Sequence, residues 1–170
     1  MNPFSIAALA AFTLAGCAQP HLHPGSGPYA GQQSRDIKAL SDEEVRGYLA
    51  GAGMGFARTA ELNRYPGPMH ALEHADAIGL SPAQRDALAA LLARHKDEAR
   101  SLGAEVVRLE RELDTLFAGR TATAASVDGK LAEIGSAQAR VRGSHLKTHL
   151  DATALMTPEQ VERYARLRGY

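Results

Sequence analysis

Histidines recur at a spacing of four in two places in this sequence, His70 with His74 in HALEH and His145 with His149 in HLKTH. Residues four apart on a helix lie on the same face, so each pair could hold one ion between its imidazole rings. Imidazole nitrogen is a good ligand for Zn²⁺, Ni²⁺, Co²⁺ and Cu²⁺. The two pairs therefore predict a transition-metal site, and the alternative is that they are hydrogen-bonded structural histidines.

The segment HALEH also matches the H-x-x-E-H pattern of inverted zinc peptidases, in which Glu73 would be the general base. Those enzymes are much larger than this chain, take a third ligand from a distant segment and need a substrate cleft. The sequence shows no Ser-His-Asp set, no phosphate-binding loop and no dinucleotide-binding motif. We therefore expect no enzymatic activity.

Two long helical patterns must position these histidines. Mostly apolar residues at a 4-3-4-3 spacing form one seam from Leu88 to Leu116, in a helix predicted over residues 82–118. A second seam runs from Val127 to Leu155 and includes Leu131 and Gln138, and residues 119–124 make the turn between the two. Shorter helices are predicted after a capping box at Ser41, over residues 68–78 and over residues 158–168, and no strand pattern competes. The sequence thus predicts an all-α fold, a long antiparallel helical hairpin with shorter flanking helices.

Pairing the seams of the two long helices predicts where a further histidine, His95, lies along the hairpin. If the seams pair outward from the turn, His95 faces Thr148 and lies level with the second histidine pair. The helix that ends at Gly79 would fold back along the hairpin and bring the first histidine pair to the same end. His95 is therefore a candidate fifth ligand.

The N-terminal region contains an apolar run from Phe4 to Gly16 that is too short to span a bilayer comfortably. It ends in small residues directly before Cys17, the only cysteine of the chain, a pattern typical of a bacterial lipoprotein signal. We predict a signal peptide over residues 1–16 and a lipid on Cys17; the alternative is an ordinary secretory signal. In either case the protein would be exported.

Residues 17–40 are rich in Pro, Gly, Ser and Gln and lack periodicity, which predicts a flexible tether before a helical domain over residues 41–170. An acylated cysteine would anchor the protein firmly to a membrane. We expect a lipid-anchored periplasmic protein, and Ala18 after the cysteine favours the outer membrane. His21 and His23 lie in the tether, where they are either solvated or weak metal ligands.

The composition excludes several classes of protein. The chain has 170 residues, with 19 Lys+Arg and 19 Asp+Glu, so its formal net charge is zero. Such a balance lacks the positive excess of a nucleic-acid-binding protein. A single cysteine rules out an intrachain disulfide and a cysteine-based zinc finger. A hydrophobic content of 45% is sufficient for one packed domain.

Two predicted helices begin with the same pattern, an apolar residue followed by Ser or Thr, Pro and, two residues later, Gln: Leu80, Ser81 and Gln84, and Met156, Thr157 and Gln160. The hydroxyl and the amide of such a pattern cap the helix reciprocally. The two motifs resemble the LTxxQ motifs of the Spy/CpxP-like periplasmic proteins, and the resemblance extends from about Leu40 to the C-terminus.

With its histidines the chain is most similar to the CnrX-type branch of that family, the periplasmic sensors of nickel and cobalt. The resemblance implies ligands at the HALEH pair, at a carboxylate in the next helix and at His145. His149 stands where the sensor has a methionine, and Leu92, near the carboxylate position, cannot ligate. We therefore expect His95, one turn later, as the substitute. An all-nitrogen set would shift the preference toward zinc or Cu²⁺, so the ion stays open among Zn²⁺, Ni²⁺, Co²⁺ and Cu²⁺.

The resemblance also implies a function and partners. A homodimer interlocked through the hairpins would sense or resist heavy metals, and a membrane signalling partner would read the element that the ion moves. The alternative is an ATP-independent chaperone or envelope-stress protein, which would hold unfolded client proteins on an apolar surface. Met54, Phe56 and Met69 are the candidate exposed apolar residues for that role.

Overall fold

The computed structural model describes residues 27–170, and the folded unit treated below covers Gln32–Tyr170. The described residues form seven α-helices and contain no strand. The helices are α1 (Asp42–Ala50), α2 (Arg58–Glu61), α3 (Pro68–Glu73), α4 (Ala75–Ile78), α5 (Pro82–Ala118), α6 (Ala124–Ala154) and α7 (Pro158–Arg168). Within residues 27–170 no helix is long and apolar enough to cross a membrane.

Helices α5 and α6 pack against each other and form the long antiparallel hairpin that the two seams predict. α5 has 37 residues, which corresponds to about 55 Å at 1.5 Å per residue. Ion pairs join the two helices along their length: Lys130 Nζ lies 2.8 Å from Glu112 Oε2, and Arg140 Nη2 lies 2.6 Å from Glu105 Oε1. The all-α hairpin with shorter flanking helices is therefore confirmed.

The buried face of α6 differs from the predicted seam at two positions. The strict spacing places Leu131 and Gln138 on the seam, but both are exposed, and Ala137 and Ser144 are buried in their vicinity instead. A helix with 3.6 residues per turn drifts from a strict repeat of seven, so its contact face moves around the helix. Small side chains therefore line part of the hairpin contact.

Helix α1 and the segment before it cover the middle of the hairpin. Ile37 and Leu40 are buried in a core cluster with apolar residues of α5 and α6. The predicted tether over residues 17–40 is therefore too long, because its last part is anchored by these two apolar side chains. α1 crosses α5 so closely that a Cβ on Gly103 would lie 2.1 Å from the carbonyl oxygen of Tyr48, so only glycine fits at this crossing.

A second core cluster packs α3, α4 and α7 against the open end of the hairpin. Its fully buried members include Ala71, Ile78, Leu88, Ala152 and Tyr164. This arrangement brings α3 to the end of the hairpin at which α6 carries its histidines, as the sequence predicts.

The helix predicted over residues 68–78 is interrupted. His74 has φ −104° and ψ 18°, so it ends α3 and precedes α4 instead of continuing one helix. The short helix α2 lies outside the predictions, because four residues are too few for a periodic pattern.

Candidate metal centre

Four of the five predicted histidines border one cavity of about 520 Å³ at the open end of the hairpin: His70, His95, His145 and His149. They come from three helices, α3, α5 and α6. The loop that follows α1 and residues of α2 also border the cavity. The tertiary structure thus brings together residues separated by up to 79 positions in the sequence.

A chain of hydrogen bonds crosses the hairpin at His95. Ser144 Oγ donates to Glu98 Oε2 at 2.9 Å, because an ionised carboxylate can only accept. The Ser144 oxygen in turn accepts the hydrogen of His95 Nδ1, at 3.3 Å. His95 Nε2 then carries a lone pair and accepts the hydrogen of His145 Nδ1, at 3.1 Å. Both ring nitrogens of His95 are therefore hydrogen-bonded.

This chain leaves His145 Nε2 with a lone pair that no group in the described residues satisfies. The atom is buried and has no hydrogen-bond partner. Burial lowers the pKa of His145 to about 4 and also lowers the pKa of His95, so both rings are neutral near pH 7. Phe56 covers the His145 ring, with 5.4 Å between ring centroids. A buried, neutral imidazole with a free lone pair is a ready ligand for a cation.

His149, one turn later on α6, has the same tautomer as His145. Its Nδ1 donates to the carbonyl oxygen of Tyr65 at 2.7 Å, which leaves Nε2 with the lone pair. Gly67 makes room for this ring, since a Cβ there would lie 2.9 Å from His149 Cε1 and 3.0 Å from Nε2. The absence of a side chain at Gly67 therefore holds space for the imidazole.

His70 shows the pattern a third time. Its Nδ1 donates to Glu73 Oε2 at 2.8 Å, and this hydrogen bond from His70 lowers the pKa of the Glu73 carboxyl. His70 Nε2 is then the free nitrogen. Glu73, which the peptidase pattern would make a general base, here orients a histidine. Metal-binding histidines in proteins characteristically donate their second N–H to a carboxylate or a carbonyl in this way.

His74 does not border the cavity, although the helical turn from His70 to His74 is intact, with the His74 N–H donating to the His70 carbonyl oxygen at 3.1 Å. Leu92, at the position where the resemblance places a carboxylate, does border it. Within residues 27–170 no three His, Cys, Asp or Glu side chains are gathered closely enough to hold an ion as they stand. His21, His23 and Cys17 lie outside the described residues.

Three other residues with possible ligand atoms border the cavity, and none of them was expected as a ligand from the sequence: Glu61 at the end of α2, and Met54 and Met69. The two thioethers are about two-fifths exposed. Met54 and Met69 are among the residues that the sequence suggests for a chaperone surface, and here they border the same cavity as the histidines. Glu61 has no characteristic sequence spacing from the histidines, so only the tertiary structure shows that it borders the same cavity.

The residues present fit a transition-metal ion. Their donor set offers the free Nε2 lone pairs of His70, His145 and His149, and one of these lone pairs is buried without a partner. Nitrogen donors of this kind suit Zn²⁺, Ni²⁺, Co²⁺ and Cu²⁺.

The chain matches the family model described as heavy-metal resistance over residues 47–163, more than half of its length. The chain therefore belongs to the heavy-metal resistance family, which is part of the Spy/CpxP-like periplasmic fold group. Comparison with curated proteins and with solved structures gave no match.

Proposed function

We propose that this protein binds a divalent transition-metal ion through His70, His145 and His149 and acts in heavy-metal sensing or resistance. One observation carries the proposal: each of these three rings borders the same cavity and has its Nδ1 hydrogen committed to an acceptor, so that each Nε2 is free to ligate. Membership of the heavy-metal resistance family supports the same role.

The three ligands have different freedom to move. His145 and His149 lie on the same helix, α6. Hydrogen bonds from their Nδ1 atoms to His95 and to the Tyr65 carbonyl oxygen hold the two rings in place, and the His149 side chain is 13% exposed. The His70 side chain is 30% exposed and is held only by Glu73 from its own helix. Because the three nitrogens are not yet gathered, ion binding would draw His70 toward α6 and tighten α3 against the hairpin. Such a coupling of occupancy to helix position is what a sensor requires.

Within the family, the histidines at HALEH and at HLKTH support a role of the CnrX type. Leu92 leaves the seam without a carboxylate, and nitrogen stands in place of a thioether at His149, so we propose Zn²⁺ or Cu²⁺ as the preferred ion over Ni²⁺ and Co²⁺. A lipid anchor on Cys17, a periplasmic location and a homodimer remain part of the proposal.

Calorimetric titration of the purified protein with Zn²⁺, Ni²⁺, Co²⁺ and Cu²⁺ tests the site. We expect one ion per chain, and a loss of affinity of more than about a hundredfold in His70→Ala/His145→Ala, since losing a ligand costs more than losing the hydrogen-bond partner of one. His74→Ala, outside the cavity, is the matched control and should keep most of the affinity. Binding that survives in the double variant would contradict the site.

A further inference from the structure

We propose that Glu61 is the carboxylate ligand of this site and that ion binding at Glu61 is transmitted to the C-terminal helix α7. The inference rests on the proposed function and adds a ligand and a route by which occupancy reaches another element. It begins from the position of Glu61, the last residue of α2, on the wall of the cavity that the four histidines border.

Glu61 lies beside one of the proposed ligands. Its Oε2 is 3.6 Å from His149 Nδ1, and both side chains are only 13% exposed. The hydrogen on that nitrogen is committed to the Tyr65 carbonyl, so Glu61 Oε2 does not receive it. Oε2 therefore lies next to His149 and makes no hydrogen bond within the described residues, whereas Oε1 accepts three.

The other oxygen of Glu61 is held by the C-terminal segment. Oε1 accepts hydrogen bonds from the Tyr164 hydroxyl, from Arg168 Nε at 3.3 Å and from the Tyr170 hydroxyl at 3.4 Å. Tyr164 is fully buried in the second core cluster, and burial together with this hydrogen bond raises the pKa of its hydroxyl. Glu61 thus lies next to His149 through Oε2 and is hydrogen-bonded to α7 and the C-terminal tyrosine through Oε1.

A divalent ion bound by the three histidines would be stabilised by a negatively charged ligand. Three neutral imidazoles leave the charge of a divalent ion uncompensated in a partly buried site, which is costly. Leu92 offers no charge from α5, whereas Glu61, at the end of α2, offers a carboxylate that Arg168 pairs with only at Oε1. A carboxylate oxygen joined to histidine nitrogens is a common donor set for zinc.

Arg168 makes the coupling to α7 electrostatic. Its guanidinium borders the same cavity and pairs with Glu61 Oε1. A divalent cation at Oε2 would repel the guanidinium and would withdraw negative charge from Oε1, and both effects weaken the hold of Glu61 on Arg168. Ion binding should therefore loosen the end of α7.

Hydrogen–deuterium exchange of residues 158–170, measured on the full chain with and without Zn²⁺, tests the inference together with Zn²⁺ affinity. Glu61→Gln keeps an acceptor for Tyr164 but loses the charge. The matched control is Glu162→Gln, which removes an exposed carboxylate on α7 that pairs with Arg64 and Arg166. Tyr164→Phe is a second variant that removes a competitor for the Glu61 charge and leaves the carboxylate in place.

We expect faster exchange in residues 158–170 on adding Zn²⁺ to the wild type and to Glu162→Gln, and no such change in Glu61→Gln. Glu61→Gln should bind Zn²⁺ about tenfold more weakly, or worse, and Tyr164→Phe should bind it several-fold more tightly. Wild-type affinity or a wild-type exchange response in Glu61→Gln would overturn the role of Glu61 and leave the histidine site standing. If Glu61→Gln does not fold, an unchanged affinity in Tyr164→Phe overturns it. A wild-type protein that takes no Zn²⁺, Ni²⁺, Co²⁺ or Cu²⁺ would instead end the proposed function itself.

Discussion

Gln84 and Gln160 exchange two hydrogen bonds, with the Nε2 of each donating to the Oε1 of the other at 2.8 Å and 3.0 Å. Each amide oxygen also accepts from the N-cap backbone N–H of its own helix, and each amide nitrogen donates to one carbonyl, that of Leu155 or of Gly79. The glutamines of the two LTxxQ-like motifs therefore lock the starts of α5 and α7 together while they cap them.

This mutual contact predicts strong coupling between the two motifs. Gln84→Ala or Gln160→Ala alone should lower the free energy of unfolding by about 1–3 kcal/mol, because each removes the cap of its own helix and two of the hydrogen bonds of the other, partly buried amide. The double variant should cost clearly less than the sum of the two single losses. Urea denaturation of the four proteins measures this, and strictly additive losses would contradict a direct contact.

Gly67 provides a test of the space around His149. Gly67→Ala is compatible with the backbone, at φ −83° and ψ 142°, but its Cβ would collide with the imidazole. We expect the ring to be displaced and Zn²⁺ affinity to fall by about tenfold or more in calorimetric titration. Gly53→Ala lies in the loop after α1 that also borders the cavity, with no atom within 4 Å of the added Cβ, and should bind Zn²⁺ as the wild type does. Equal affinities in the two variants would argue against His149 as a ligand.

The hydrogen-bonded chain through Ser144 predicts an effect of a residue that cannot itself reach the ion. Ser144→Ala removes the acceptor of the His95 Nδ1 hydrogen, so His95 and then His145 lose the bias that leaves His145 Nε2 free. Zn²⁺ affinity should fall by about tenfold, and the imidazole ¹⁵N resonances of His145 should show a mixed tautomer. Ser136→Ala, an exposed serine earlier on the same helix, should change neither quantity. A pure, unchanged His145 tautomer in Ser144→Ala would refute the chain.

The buried histidines predict a loss of stability on acidification of the metal-free protein. Burial depresses the pKa of His145 from its ordinary 6.5 to about 4, so below pH 6.5 the unfolded chain takes up a proton that the folded chain refuses. The stability from this group is therefore lost as the pH falls from 6.5 to about 4, by on the order of 3 kcal/mol, and changes no further below that range.

Denaturant midpoints between pH 7 and pH 4 measure this loss. His95, whose pKa burial also lowers, adds to it in the same direction. His145→Asn keeps a donor for His95 and removes the titrating ring, so its midpoint should fall less steeply over the same range. A wild-type midpoint that is constant from pH 6.5 to pH 4.5 would contradict the buried, neutral state of the pair.

Local and periodic features of the sequence were sufficient to predict the two long helices, their antiparallel pairing and the starts of the capped helices. The capping patterns at Ser41, Ser81 and Thr157 each begin a helix where they predict one, since a cap depends only on residues within one turn. The heptad spacing predicts His95 opposite Thr148 and level with the second histidine pair, because two regular helices of fixed rise leave few alignments; in the structure His95 contacts Ser144 and His145. The position of His70 at the same end of the hairpin follows instead from the predicted fold-back of the helix that ends at Gly79.

Only the tertiary structure decided which nitrogen of each ring is free, that His74 lies away from the cavity and that Glu61 belongs to it. The tautomers depend on acceptors as distant as Tyr65 and His95, and no spacing rule relates these to the histidines. His74 lies outside the cavity although it is one helical turn after His70, and Glu61 borders the cavity from a helix too short to be periodic. Hydrogen-bond partners and short irregular segments are set by the packing of the whole chain, which acts over distances that local sequence patterns do not encode.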